Sequence, residues 1–167
     1  MDAAQANVPG PQGRSPQVLI VLGSESDLPI VDTLPALLDR FGLSHEVAVA
    51  SAHRQPDRLR DVVQRADRGG TLVFVAVAGM AAHLPGVVAS LTGRPVIGVP
   101  VASGPLQGFD ALLSIVQMPP GVPVATVAIG SAGARNAACL AARIIGLAEP
   151  KVAAAVEDYR RELAGGR

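Results

Sequence analysis

Short apolar runs rich in β-branched residues alternate with longer amphipathic segments along this 167-residue chain. The apolar runs have the length of strands, and we predict five, at Val18–Leu22, Val47–Ala50, Leu72–Val77, Val96–Val99 and Val124–Ile129. We predict helices between and after them, at Asp27–Phe41, Pro56–Arg68, Leu84–Leu91, Phe109–Gln117 and Ala134–Leu147. This alternation predicts an α/β fold, a three-layer α/β/α sandwich with a mostly parallel, flavodoxin- or Rossmann-like sheet.

A last amphipathic pattern at Pro150–Leu163 predicts a C-terminal helix beyond the sheet. It could fold back on its own domain or lie across a neighbouring subunit, and the Gly-Gly-Arg end is expected to fray. The first residues are rich in Ala, Gln, Pro and Gly, which is typical of a flexible tail. We therefore divide the chain into a tail (1–16), a candidate catalytic α/β domain (17–149) and a C-terminal helix with its frayed end (150–167).

Composition narrows the possible partners and compartments. Fourteen basic and fourteen acidic residues balance, which removes the electrostatic case for binding nucleic acid or an anionic membrane. No apolar run approaches the ~20 residues that span a bilayer, and no secretion signal is recognisable at the start, so a cytoplasmic location is expected. The single cysteine, Cys139, lies among alanines and a leucine and is predicted to be a core residue rather than a nucleophile.

Three polar or glycine-rich strings directly follow predicted strands. They are GSESD at Gly23–Asp27, SAHR at Ser51–Arg54 and AGMAAHLPG at Ala78–Gly86. The carboxyl ends of parallel strands meet at one edge of the sheet, where doubly wound folds bind their ligands. Residues from three separate loops are therefore expected to form one site.

The first string has two interpretations of equal weight. Hydroxyls of Ser24 and Ser26 could donate to phosphate oxygens at a helix N-terminus, while Asp27 could hold a ribose hydroxyl. All three residues could equally be helix caps alone. The string contains neither the dinucleotide-binding GxGxxG pattern nor a P-loop.

The second string offers proton-transfer chemistry. A histidine such as His53 can take and give a proton near neutral pH, and the guanidinium of Arg54 fits phosphate or carboxylate. Alternatively, His53 bonds a loop carbonyl and Arg54 pairs with Asp57. The position at the end of a predicted strand favours the functional interpretation.

The third string combines small residues, whose backbone can approach a ligand closely, with His83 near a helix start. Close helix-to-sheet packing, with His83 as a polar cap, is the alternative. The third histidine, His45, opens a strand and receives no role. Three separated histidines and one cysteine give no recognised metal-ligand spacing.

Together the motifs resemble those of the 5-(carboxyamino)imidazole ribonucleotide mutases of de novo purine (IMP) biosynthesis. From Val18 to Leu147 the chain shows, in the family's order, GSxSD, SAHR, AAHLPG, GVP, DxLLSIVQMPxGVPVATxAIG and GAxNAA. The resemblance implies a three-layer α/β/α subunit, commonly assembled as a homo-octamer with sites between subunits. It also implies a small-molecule ribonucleotide substrate and no metal, organic cofactor or ATP.

The resemblance further implies an isomerase that moves a carboxylate from the exocyclic nitrogen of an aminoimidazole ribonucleotide to a ring carbon. Carbon dioxide would be released and recaptured inside a closed pocket. His53 matches the family's general acid/base. Substrate-binding roles are implied for nine other residues: Ser24, Ser26, Asp27, Ser51, Ala52, Arg54, Gly79, Ala81 and His83.

The chain departs from the family pattern most clearly at Val77 and Met80, which stand where AGAGGAAHLPG has glycines. A side chain at either position could narrow the carbon dioxide pocket or shift the loop. DALLS at Asp110–Ser114 and GPLQG at Gly104–Gly108 also differ from the usual DSLLS and SxxLxG. Such changes fit either tolerated drift or a paralogue with altered substrate.

Three alternatives to the mutase interpretation remain. One is direct carboxylation of aminoimidazole ribonucleotide on the same fold. Another is the related carboxylase of nickel-pincer cofactor synthesis, which VAGM at Val77–Met80 resembles but SAHR and SIVQMP argue against. The third is a binding or assembly protein without turnover, which would have no need of His53 beside Arg54.

Overall fold

The computed structural model describes residues 15–165, so most of the predicted tail and the last two residues lie outside the described part. Its strands are β1 (Val18–Leu22), β2 (His45–Val49), β3 (Val73–Gly79), β4 (Val96–Val101) and β5 (Ala125–Thr126). A short 3-10 helix, Glu25–Ile30, precedes six α-helices. These are α1 (Thr33–Arg40), α2 (Pro56–Arg68), α3 (Leu84–Leu91), α4 (Phe109–Val116), α5 (Ser131–Gly146) and α6 (Pro150–Leu163).

All described strand pairs are parallel, and the spatial order is β2-β1-β3-β4-β5. This is the flavodoxin-like order, in which the chain reverses its direction of growth at β1 and β3. Loops leaving β1 and β3 therefore diverge to opposite faces of the sheet and open a crevice between them. The predicted three-layer α/β/α architecture is confirmed.

Alternating strand residues feed two separate cores, because successive side chains point to opposite faces of a sheet. On one face Val18, Ile20 and Leu22 pack with α1, α5 and α6. On the other face Leu19 and Val21 pack with α2, α3 and α4. Both faces are covered, which explains why β1 is apolar throughout and entirely buried.

The predicted single helix at Asp27–Phe41 is wrong. It divides into the 3-10 helix and α1, with a break around Val31 and Asp32. Pro29 lies inside the first piece, and a proline supplies no N–H and disfavours helical backbone in the residue before it. Asp27 lies inside this 3-10 helix and is buried.

The fifth strand is much shorter than the predicted Val124–Ile129. Beyond Thr126 the chain still bonds to β4, through Val127 N to Gly98 O at 3.1 Å and Gly130 N to Pro100 O at 2.8 Å. These two bonds are three residues apart on the fifth strand's side but two residues apart on β4. The regular parallel register of Ile97 with Ala125 is therefore lost between them. Pro100 cannot donate to the ladder, so regular pairing stops there.

The C-terminal helix packs on its own domain, the first of the two arrangements considered. Val152 and Val156 are buried in the first core. Tyr159 meets the edge of Phe41 with ring centroids 5.6 Å apart and lies under the Arg40 guanidinium at 4.8 Å. Arg40 also pairs with Glu162. α6 is thus a structural element of the subunit.

Two smaller expectations concern Cys139 and membrane-spanning segments. Cys139 is half-buried against the first core, and burial raises the pKa of its thiol, which opposes thiolate chemistry as predicted. Within residues 15–165, no helix is both long and apolar enough to cross a membrane.

Candidate functional site

The three loops and the end of β4 surround one pocket of about 520 Å³ at the carboxyl edge of the sheet. It lies at the β1/β3 reversal, where this sheet order places its ligand crevice. The pocket wall contains all ten residues singled out from the sequence: Ser24, Ser26, Asp27, Ser51, Ala52, His53, Arg54, Gly79, Ala81 and His83. Their convergence is a structural fact, whereas their individual roles stay predictions.

The loop after β1 is organised by its own hydroxyls. Ser24 is the N-cap of the 3-10 helix, and its Oγ accepts from Ser26 N at 3.4 Å and from Ser26 Oγ at 2.8 Å. Asp27 lies inside this helix rather than at its cap, and it is buried. Burial raises the pKa of Asp27, while hydrogen bonds with the Ser26 side chain and the Ser24 backbone oppose that rise. This carboxylate therefore gains from a further hydrogen-bond donor, such as a sugar hydroxyl.

Arg54 is held against the mouth of the pocket rather than against Asp57. Its Nη2 donates to Gly23 O at 3.3 Å, and its Nε donates to Ser51 Oγ at 3.4 Å. Asp57 instead faces Arg60 at 3.6 Å. Neutral partners leave the charge of Arg54 uncompensated by these contacts, so the exposed guanidinium remains available to an anion.

His53 and His83 form a direct pair. Nε2 of His53 lies 2.6 Å from Nδ1 of His83, and the rings are nearly perpendicular, at 80° with centroids 4.8 Å apart. His83 is the first residue before α3, but its side chain makes no capping bond. The alternative of His83 as a polar cap is therefore wrong, and so is that of His53 on a loop carbonyl.

The wall between β3 and β4 is closely packed. A Cβ added at Gly79 would lie 1.8 Å from Ser103 Oγ and 3.0 Å from Val101 O, so a side chain there would require Ser103 and its surroundings to move. Met80 follows with a left-handed backbone, φ 54°, and lines the pocket with an exposed side chain. Of the two departures from the family pattern, Met80 therefore reaches the pocket.

Val77 does not. It lies inside β3, is fully buried in the first core, and its carbonyl accepts from Gly23 N at 3.1 Å. The expectation that Val77 could narrow the pocket is wrong, because strand alternation turns its side chain into the first core with those of Val73 and Val75.

Sequence reasoning missed one polar residue of the pocket wall, Ser103. It follows β4, which ends at Val101, two residues beyond the predicted strand end. The available signal was the same as for the other loops: a small hydroxyl residue just after a buried parallel strand.

Comparison with known proteins agrees with this geometry. Residues 17–165 match the model of the family described as AIR carboxylase. An N5-carboxyaminoimidazole ribonucleotide mutase from Thermotoga maritima is 50% identical over 148 residues, covering 89% of this chain and 85% of that protein. A mutase of the same name from Aliivibrio fischeri is 52% identical, covering 87% and 91%.

The fold agrees as well. The crystal structure of Treponema denticola PurE superposes with a TM-score of 0.81 at 28% identity, covering 89% of this chain and 91% of that one. A substituted PurE2 from the same organism gives the same TM-score at 27% identity. With a family model matching most of its length and relatives near 50% identity, the chain belongs to the AIR carboxylase family.

Proposed function

We infer that the protein is an N5-carboxyaminoimidazole ribonucleotide mutase, an isomerase of purine biosynthesis that transfers a carboxylate from nitrogen to carbon. The observation that carries this inference is the meeting of a proton-transfer group, His53, with a cation and hydroxyls in one pocket. The curated relatives that bear the mutase name support it over a binding protein without turnover.

The pocket divides into a polar and an apolar part that suit the two ends of such a substrate. Ser24, Ser26 and Arg54 supply hydroxyls and a cation for the phosphate, and Asp27 accepts from the ribose. Gly79 and Ala81 line the other part, where a small neutral molecule needs confinement rather than strong binding. Holding carbon dioxide beside the ring makes recapture effectively intramolecular, worth up to about 7–11 kcal/mol in favourable cases.

His53 carries the proton in this scheme. When the carbon–nitrogen bond of the carbamate breaks, carbon dioxide leaves and the nitrogen takes a proton from His53. The ring carbon then attacks carbon dioxide, forming the new carbon–carbon bond, and its hydrogen returns to His53 as a proton. Proton and carboxylate are thus both conserved over the cycle, and neither oxidant nor ATP enters the balance.

A direct assay tests this function. Purified protein is given the carboxyamino ribonucleotide without ATP or added metal, and in parallel aminoimidazole ribonucleotide with bicarbonate. We expect fast conversion of the first to the carbon-carboxylated isomer and little conversion of the second. Fast conversion of the second would instead make the enzyme a direct carboxylase. Ligand binding without conversion of either would exclude both.

We also propose a cytoplasmic homo-oligomer, an octamer as the family resemblance implies. The support from this chain is a row of apolar side chains on and just before α4. Leu106, Phe109, Leu113 and Val116 are 59, 65, 57 and 49% exposed and recur at helical spacing. A contiguous apolar face of this kind is typical of a protein interface, and here we assign it to a second copy of the chain.

A further inference from the structure

Met80 has two properties that are energetically unfavourable for an ordinary loop residue. Its backbone is left-handed, at φ 54°, a region that glycine occupies without steric cost. Its long apolar side chain is 57% exposed. Strained residues of this kind concentrate at functional sites, where the surrounding structure holds them in place.

The surroundings of Met80 do fix its position. Ala82 N donates to Met80 O and His83 N donates to Ala81 O, both at 2.8 Å, so the chain coils tightly between Met80 and His83. The same short loop therefore presents the thioether of Met80 and the imidazole of His83, and both line the pocket.

Met80 also reaches the neighbouring loop. A Cβ placed on Gly104 would lie 3.6 Å from Met80 Cγ, which is ordinary van der Waals contact. One residue earlier, Gly79 is pressed against Ser103. The side chain of Met80 thus lies over the junction between the β3 and β4 loops, at the less polar part of the pocket wall.

We propose that Met80 is an apolar cover that retains carbon dioxide in the pocket and keeps water out during the mutase reaction. This inference rests on the proposed function. A flexible, polarisable thioether can adapt to different contents of the pocket, and it offers carbon dioxide no hydrogen bond that would have to be broken. The covalent steps are those already given for His53. Met80 only decides whether the released molecule stays or escapes.

Isotope retention tests the cover. Substrate carrying a ¹³C carboxylate is converted in the presence of excess unlabelled bicarbonate, with an enzyme-free control subtracted. Carbon dioxide that stays in the pocket gives labelled product, whereas carbon dioxide that escapes gives free aminoimidazole ribonucleotide and lost label. We expect Met80→Gly and Met80→Ala to raise the label lost per turnover at least about threefold, and Met80→Leu to retain label as the wild type does.

Gln107→Gly is the matched control, because Gln107 is the other described non-glycine residue with a left-handed backbone, at φ 51°, and does not line the pocket. It relieves the same kind of strain and should retain label normally. Unchanged label loss in Met80→Gly and Met80→Ala, with an active wild type, would overturn the cover alone. A wild type that forms no carbon-carboxylated product would overturn the proposed function and the cover with it.

Discussion

His53 Nε2 and His83 Nδ1 lie 2.6 Å apart, although the two residues are 30 positions apart in the chain. Their loops leave β2 and β3, the two strands that flank β1 in the sheet. A single hydrogen must lie between these nitrogens, because two lone pairs or two N–H groups would repel at this distance. The pair therefore has two arrangements, with either His53 Nε2 or His83 Nδ1 as the donor. For two neutral rings, conversion of one into the other also moves a proton at the outer nitrogen of each ring.

His53→Ala is expected to lower turnover about 10²–10⁴-fold, the usual contribution of a positioned general acid/base. Binding of aminoimidazole ribonucleotide, measured by calorimetry, should remain within a few-fold because Arg54 and the serines are untouched. His45→Gln is the control, since His45 bonds Leu43 O and faces Asp39 outside the pocket. Comparable turnover in His53→Ala would remove this residue from the mechanism.

His83→Asn is expected to lower kcat up to about 10²-fold with little change in KM. Without its partner the His53 ring loses the contact that fixes its orientation and tautomer, and small misplacements of a catalytic group have costs of this size. An unchanged kcat with a raised KM would instead assign His83 to substrate binding.

The sequence was sufficient to bring the candidate site residues together, because each of the three loops follows a parallel strand that is partly or fully buried. Apolar runs such as Val18–Leu22 mark where each strand ends, and the sheet order brings those ends together. The contact between His53 and His83 was beyond sequence reasoning. It depends on the angles at which two loops cross the end of β1, and these are set by packing rather than by local propensity.

Errors in the sequence-based prediction have specific physical causes. Val77 was placed correctly in the third strand, but the face to which its side chain points was not assigned; the structure buries it in the first core beside Val73 and Val75. Successive side chains of a strand point to opposite faces, so knowing that Val77 lies in a strand does not say whether it faces the pocket or the core. Likewise, apolar periodicity continued through Pro29 and concealed the break between the 3-10 helix and α1.

Arg54→Ala is expected to weaken ribonucleotide binding about 10–100-fold, the range for losing a hydrogen bond to a charged group. Arg54→Lys should recover only part of this affinity, because an ammonium cannot reproduce the guanidinium fork. Arg58→Ala is the control: Arg58 lies exposed on α2 and does not line the pocket. A sharp fall in melting temperature with unchanged affinity would make Arg54 structural.

Asp27→Asn is expected to stabilise the fold at neutral pH while lowering ribonucleotide affinity about tenfold or more. Burial raises the pKa of Asp27, so the folded protein keeps this proton to higher pH than the unfolded chain. Between the two pKa values the folded state binds more protons, and stability falls as pH rises through that window. The destabilisation caused by the buried charge is fully present above the raised pKa. Asparagine removes this destabilisation because it carries no charge.

Melting curves from pH 8 down to pH 4 test this predicted pH dependence of stability. The variant should melt above the wild type at pH 8, and the difference should narrow toward pH 4 as the wild-type carboxyl takes up its proton. A variant that melts lower at every pH would show that the hydrogen bonds of Asp27 with Ser24 and Ser26 stabilise the loop by more than burial of the charge costs.

Leu113→Glu is expected to dissociate the proposed homo-oligomer, because it places a charge in the middle of the apolar row on and just before α4. Leu113 is 57% exposed in the subunit, so the substitution should leave the monomer fold intact. Leu147→Glu is the matched control: Leu147 is 90% exposed just after α5 and lies outside the row. Sedimentation velocity should give a smaller species for Leu113→Glu alone. If both variants sediment like the wild type, α4 is not the interface.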